Sequence, residues 1–390
     1  MKHRRRIDLI PAAPDALPST VKGRGTAWAI EHRFGETSHD QFDDGWGALD
    51  QLAELEVLPP QTQVIEETVK TILTANESPD INFDLSINPY RGCEHGCIYC
   101  FARPTHSYLN LSPGLDFETR IIAKHNAAER LEQALNHPRY QPKLLNIGSA
   151  TDAYQPVERE LRITRSVIEV LSRYRHPFSL VTKSSGVERD LDLLRPLAEQ
   201  RGVAVYVSLT TLDPALARIM EPRAAAPHRR LRTIRSLAEA GIPVGVSISP
   251  MIPFINEPEL ERLLEAAAEA GAGSAFMVVL RLPWEVNPLF QRWLDDHFPD
   301  RAARVMARVR EIHGGKDYNA RFGTRQRGSG VWAELLQQRF DKACIRYGLG
   351  LQRRELDLSQ FRRPSGQAAA GDRPASSTAA QNRPQQASLF

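Results

Sequence analysis

Two hydrophobic periods take turns along this chain from residue 83 onward. Short runs rich in Val, Ile and Leu occupy 83–88, 143–148, 178–182, 203–209, 244–249 and 275–280, each too short for a helix, so each predicts a strand. Between them, apolar residues recur at three- and four-residue intervals over 123–135, 158–172, 188–199, 229–240 and 258–270, which predicts five helices. The segment 229–240 shows the logic. Pro227 precedes it, Leu231, Ile234, Leu237 and Ala238 share one face, and Gly241 closes it ahead of Pro243. The strands are apolar almost throughout rather than alternating, the pattern of a parallel sheet covered by helices. Six strands alternating with helices predict an α/β fold, an open or closed barrel with functional groups at the carboxyl ends of its strands.

The flanks are less regular. Residues 1–80 read as an N-terminal extension in which Gly23, Gly25, Trp28 and Trp46 recur without a period, and 63–73 predicts a helix. The core spans 81–285. A C-terminal helical segment, 286–360, runs through Trp293, Val305 and Leu335 and contains a Gly/Arg-rich loop at 321–330. The last stretch, 361–390, is rich in Pro, Ala, Ser and Gln and predicts a disordered tail.

Composition changes this picture only slightly. At 42% hydrophobic residues, the 390-residue chain can bury a full core, and its net charge of +3 is too small to signal a nucleic-acid partner by itself. Any basic footprint is local. Arg218, Arg223, Arg229, Arg230, Arg232 and Arg235 form one arginine-rich patch, and Arg321, Arg325 and Arg327 form another. Either patch suits a phosphate backbone, and either also suits an ordinary solvated surface. No apolar stretch is long enough to span a membrane, and the basic residues 1–6 lack the apolar region of a secretory signal, so the expected location is cytoplasmic.

The cysteines carry the chemistry. Of the four in the chain, Cys93, Cys97 and Cys100 fall within eight residues, directly after the first predicted strand. A disulfide framework would spread them out. Three thiolates on a Gly-containing loop suit one iron–sulfur cube with an iron left open. They also suit a zinc site completed by His95 or His106, although no second Cys/His knuckle accompanies them. The fourth, Cys344, lies in an amphipathic segment and reads as a buried small hydrophobe.

The spacing C-x₃-C-x₂-C, with Tyr99 just before the last cysteine, resembles the signature of the radical S-adenosylmethionine superfamily. The stretch from Ile87 to Ile121 is similar to its branch related to spore photoproduct lyase. The resemblance implies a partial (β/α)₆ barrel of TIM type and a 4Fe–4S cluster on Cys93, Cys97 and Cys100. It also implies S-adenosylmethionine on the open iron and an electron donor. Reductive cleavage would then give a 5′-deoxyadenosyl radical that takes hydrogen from a substrate. By family position the cofactor contacts are Tyr99, then Gly148, Ser149 and Asp152 after the second strand. Lys183 and Ser184 follow the third strand, Ser208 ends the fourth, and Glu221 and Arg223 lie beyond it. Asp152 is the expected acceptor for the cofactor amine, with a helix cap as its alternative role, and 251–256 is the expected adenine wall. The branch points to nucleic acid as substrate, as in repair of a DNA lesion. RNA, a protein or a small molecule are alternatives, as is a zinc- or cluster-stabilised DNA-binding accessory protein. In the tail, Gln386, Leu389 and Phe390 belong to a Gln-x-Ser-Leu-Phe peptide that resembles a docking motif for the DNA sliding clamp.

Overall fold

Val203–Ser208 is buried at every position and lies inside a seven-stranded sheet. The computed structural model describes residues 9–11, 23–34, 61–352 and 354–364. Six of the strands are those the apolar runs predict: β1 (Leu85–Ile87), β2 (Leu145–Ile147), β3 (Phe178–Thr182), β4 (Val203–Ser208), β5 (Val244–Met251) and β6 (Ser274–Val279). They pair in chain order and all in parallel. Leu73–Ala75 adds an antiparallel strand outside β1. The crossovers are α1 (Ala127–Asn136), α2 (Ile163–Arg173), α3 (Leu191–Glu199), α4 (Pro227–Glu239) and α5 (Leu260–Glu269). Their apolar faces pack on one face of the sheet in a single core, and residues of the other face line a cavity. This is the expected partial barrel: among the described residues β6 does not pair with β1.

The gap between β6 and β1 is spanned by the Gly/Arg-rich loop. Gln326 accepts from the Val279 amide (2.9 Å), Arg325 Nε meets Asp80 (2.6 Å), and Gly323 N donates to the same carboxylate (2.6 Å). Arg325 is thus buried and spent on Asp80 and Ser78, which corrects the expectation that it offers charge to phosphates. Three of the six arginines of the other patch are corrected in the same way. Arg230 is buried against Glu221, Arg229 pairs with Glu188, and Arg223 pairs with Glu94. Beyond β6 lie α6 (Val286–His297), α7 (Pro299–Ile312) and α8 (Val331–Tyr347), the last returning Leu336, Phe340 and the fully buried Cys344 to the main core.

Three local expectations fail for identifiable reasons. Segment 63–73 is not a helix: Gln63–Glu66 pairs with Arg120–Ala123, and Val69 is held at both backbone groups by the Asn126 side chain. Its β-branched residues (Val64, Ile65, Thr68, Val69) favour extension. The predicted helix at 123–135 starts only at Ala127, because buried Ile121 and Ile122 belong to that same small sheet. The predicted helix at 158–172 breaks at Arg162 (φ 52°), where the buried Glu158 carboxylate re-caps the chain by accepting from Thr164 N (2.9 Å). No described helix is long and apolar enough to cross a membrane. Trp46 and the clamp-like residues Gln386, Leu389 and Phe390 lie outside the described residues.

Candidate active site

β1 hands the chain to the loop bearing Cys93, Cys97 and Cys100, and that loop is braced from several sides. Gly92 (φ +81°) and Gly96 (φ +68°) turn it through left-handed backbone that a side chain would strain. Beneath it, the fully buried Arg103 donates from Nε to the Cys97 carbonyl (3.0 Å) and from Nη1 to the Gly114 carbonyl (2.9 Å). Its other arm pairs with Glu118, equally buried, whose Oε2 accepts from Gly25 N (2.8 Å). On the far side Thr151 Oγ1 (2.6 Å) and Gln155 Nε2 (3.2 Å) both donate to the Gly92 carbonyl, and Gln155 Oε1 accepts from Glu94 N (2.9 Å).

The N-terminal segment presses on this loop at one point. A Cβ on Gly25 would stand 1.7 Å from the Gly96 carbonyl oxygen. Gly25→Ala therefore forces backbone apart, and is expected to lower stability by about 1–3 kcal/mol and to lower iron retention, read by thermal melting and iron content.

All three cysteines face one cavity of about 270 Å³ at the carboxyl end of the sheet. Cys93 and Cys97 are buried and Cys100 is half-buried. Burial, the leading cause, pushes the thiols of Cys93 and Cys97 up, so a thiolate there needs a positive centre beside it. Of the two histidines that could complete a zinc site, His106 places its Nε2 against the Arg120 carbonyl (3.0 Å), whereas His95 lines the cavity with its Nδ1 against Asp152 (3.3 Å). Among the described residues no three His, Cys, Asp or Glu side chains converge on a single-ion position, as mononuclear zinc requires. Three sulfur donors on one short loop fit a cluster with one open iron.

The expected cofactor contacts divide. Tyr99, Gly148, Ser149, Asp152, Lys183 and Ser208 line the cavity, whereas Ser184, Glu221 and Arg223 do not. Ser184 caps the following turn, its Oγ accepting from Gly186 N (3.0 Å). Arg223 is held by Glu94 behind the cysteine loop. Glu221 is a buried hub that accepts from the Tyr99 hydroxyl, Thr210 and Arg230, so it orients the wall without forming it. Asp152 is fully engaged: Oδ1 takes Tyr154 N (2.9 Å) and Thr182 Oγ1 (2.8 Å), while Oδ2 takes Lys183 N (2.8 Å) and faces His95. Burial alone would raise its pKa, but His95 and these donors hold it at about 2. It ties the ends of β2 and β3 together, closer to the capping alternative than to a free amine acceptor. Residues 251–256 pack at the rim and are absent from the wall, with Asn256 spent on Ile252 N (2.7 Å) and the Thr210 carbonyl (2.8 Å).

Residues 87–267, from the end of β1 through α5, match the family model of the Radical SAM superfamily. The chain belongs to the radical SAM superfamily. This radical SAM protein is 35% identical over 233 residues to the uncharacterised protein Mb2609c of Mycobacterium bovis, covering 59% of this chain and 67% of that one. It is 25% identical over 214 residues to the uncharacterised protein MJ0683 of Methanocaldococcus jannaschii, covering 55% and 76%. Among solved structures, spore photoproduct lyase complexed with dinucleoside spore photoproduct has the same fold, with a TM-score of 0.54 at 16% identity over 74% of this chain and 82% of that one. The family works with a 4Fe–4S cluster and S-adenosylmethionine, and the protein is an enzyme of that kind.

Several cavity groups escaped the sequence reading. Ser249 Oγ and Arg281 Nε are buried on the wall without a partner, and Ser247 lies beside them. Ser247 and Ser249 carried a usable signal, being polar residues inside an otherwise apolar strand. Arg281 carried none.

Proposed function

We propose that this radical SAM enzyme acts on nucleic acid, as in repair of a DNA lesion. The observation that carries the reading is the charge of the cavity. Lys183 and Arg281 both face it, and neither has a carboxylate partner among the described residues. The surrounding wall, with Phe83, Phe101, Val181, Phe276 and Val278, is apolar. With Lys183 given to the cofactor carboxylate, Arg281 remains as an unneutralised cation beside flat apolar surface, which suits a substrate that is both anionic and aromatic. A base taken out of its stack beside its phosphate is such a ligand, and spore photoproduct lyase, which shares the fold, is known in complex with a dinucleoside photoproduct.

Cys93, Cys97 and Cys100 would hold the cluster. When bound, the cluster and S-adenosylmethionine supply a 5′-deoxyadenosyl radical for hydrogen abstraction from substrate. Lys183, whose Nζ stands 5.8 Å from the Tyr99 ring, offers the cofactor carboxylate a cation, and Tyr99 is fixed for that task by Glu221. Ser208 and the unpartnered Ser249 hydroxyl offer hydrogen bonds from the ends of β4 and β5. Gly148 (φ +81°), where a Cβ would meet the Thr151 carbonyl at 3.0 Å, keeps the β2 end close to its own turn.

Lys183→Met is expected to weaken S-adenosylmethionine binding about 10- to 100-fold, the worth of one charge-assisted hydrogen bond. Equilibrium dialysis at unchanged iron content reads it. The nucleic-acid reading is tested on anaerobically reconstituted, reduced enzyme by following 5′-deoxyadenosine with and without oligonucleotides. Faster cleavage with DNA or RNA, together with binding that weakens steeply with salt, supports it. Enzyme that cleaves the cofactor but neither binds nor responds to any oligonucleotide sinks it.

A further inference from the structure

We infer that Arg281 grips a substrate phosphate at the mouth of the cavity, with Phe101 as the surface on which the adjoining base lies. This rests on the nucleic-acid reading and names the residues that would carry it.

Tyr99 and Phe101 stand on either side of Cys100 in the chain, and they differ sharply in depth. Tyr99 is 7% exposed and Phe101 41% exposed. Each ring carries a cation: Lys183 Nζ is 5.8 Å from the Tyr99 centroid, and Arg281 Cζ is 5.2 Å from that of Phe101. The cavity therefore has an inner cation and an outer one. The inner one suits the carboxylate of the cofactor. The outer one is left for a second anion.

Arg281 is prepared for that anion in three respects. Its backbone leaves β6 between buried Leu280 and Leu282, so its position is set by the sheet. Its guanidinium lies near two rings, with Cζ 5.2 Å from the Phe101 centroid and 5.9 Å from that of Tyr318, and Nη2 donates to the Tyr318 hydroxyl (3.2 Å). Its Nε is buried and without a partner, a donor already stripped of water and still unmatched. Neighbouring charge does not answer it, since Asp317 is taken by Arg310 (2.8 Å) and Asn287 (3.1 Å). The contrast with Arg325, which shares the cavity wall but is consumed by Asp80, marks Arg281 as the guanidinium available at the mouth. A guanidinium held by flat neighbours keeps its N–H edge for an oxyanion, and phosphate accepts such an edge in two parallel bonds. The exposed face of Phe101 beside it is a stacking surface that any base can use.

The experiment uses reconstituted holoenzyme and a short fluorescent single-stranded oligonucleotide, with anisotropy measured across a salt series. Arg281→Met is expected to bind about 10- to 100-fold more weakly, with the slope of log K against log salt reduced by about one. Arg281→Lys should restore the slope while recovering only part of the affinity, because it keeps the charge and loses the fork. Phe101→Leu should weaken binding at an unchanged slope. Arg232→Met, on the exposed face of α4, should keep the parental slope. Melting temperature and iron content establish that each variant is folded and loaded. A loaded Arg281→Met enzyme with parental affinity and slope overturns the assignment of Arg281 and leaves the nucleic-acid reading standing. A parent enzyme that binds no oligonucleotide overturns that reading itself.

Discussion

Cys97→Ala enzyme, reconstituted and reduced beside the parent, is expected to yield no 5′-deoxyadenosine above background while remaining folded. The two halves of this outcome have separate causes. Cys97 is one of only three thiols on the cavity wall, and the fourth cysteine, Cys344 of α8, is buried in the main core, so no spare sulfur can replace it. Its side chain is small and its cavity solvent-accessible, so truncation costs stability only on the order of 1 kcal/mol. Iron content, the absorbance of the cluster and cofactor cleavage should therefore fall together, with the melting temperature nearly unmoved. Cleavage at the parental rate would remove Cys97 from the ligand set.

Glu118→Gln should behave in the opposite way, striking the fold first. The substitution leaves the Arg103 guanidinium charged, fully buried and without its carboxylate. Removing one partner of a buried pair costs about 3–5 kcal/mol, which for a chain of this size corresponds to a melting shift of roughly 4–6 °C. Arg103 also holds the Cys97 carbonyl, and Glu118 holds the Gly25 amide, so the loop should lose its iron more readily as well. The double variant Arg103→Leu, Glu118→Leu separates these effects. It should recover much of the stability, because no lone charge remains, yet keep the defect in iron retention, because nothing then supports the Cys97 carbonyl. Recovery of both would show that the pair serves stability alone.

What the sequence disclosed about this molecule was whatever depends on near neighbours. Phe178–Thr182 is a strand over the residues its pattern predicts, and the three cysteines lie at the carboxyl end of β1 because five residues separate Ile87 from Cys93. The cavity-facing positions of Lys183 and Ser208 follow from the same strand-end logic. Glu221 looked like a cofactor contact for its place after β4, yet its partners Tyr99 and Arg230 turn it into a buried support. The pairing of Arg103 with Glu118 needed only a fifteen-residue separation, but two charges in a polar-looking stretch carry no sign that both will be fully buried. Gly25 against Gly96 and Arg325 against Asp80 join distant segments, and no local pattern announces a partner that far away. The break at Arg162 was hidden for a related reason, since the helical period runs straight through it and only the buried Glu158 side chain re-starts the helix.

The seam between Asp80 and Arg325 joins residues 245 apart in sequence. Drawing together the ends of a flexible loop of that length costs roughly 5 kcal/mol in chain entropy, whereas each neighbouring strand pair in the sheet closes a much shorter loop. Contacts of such long range form late. Until 321–330 docks, the sheet and the cysteine loop would therefore border a cleft open on the side that the Asp80–Arg325 seam closes. The arrival of 321–330 would then narrow that cleft into the cavity of about 270 Å³.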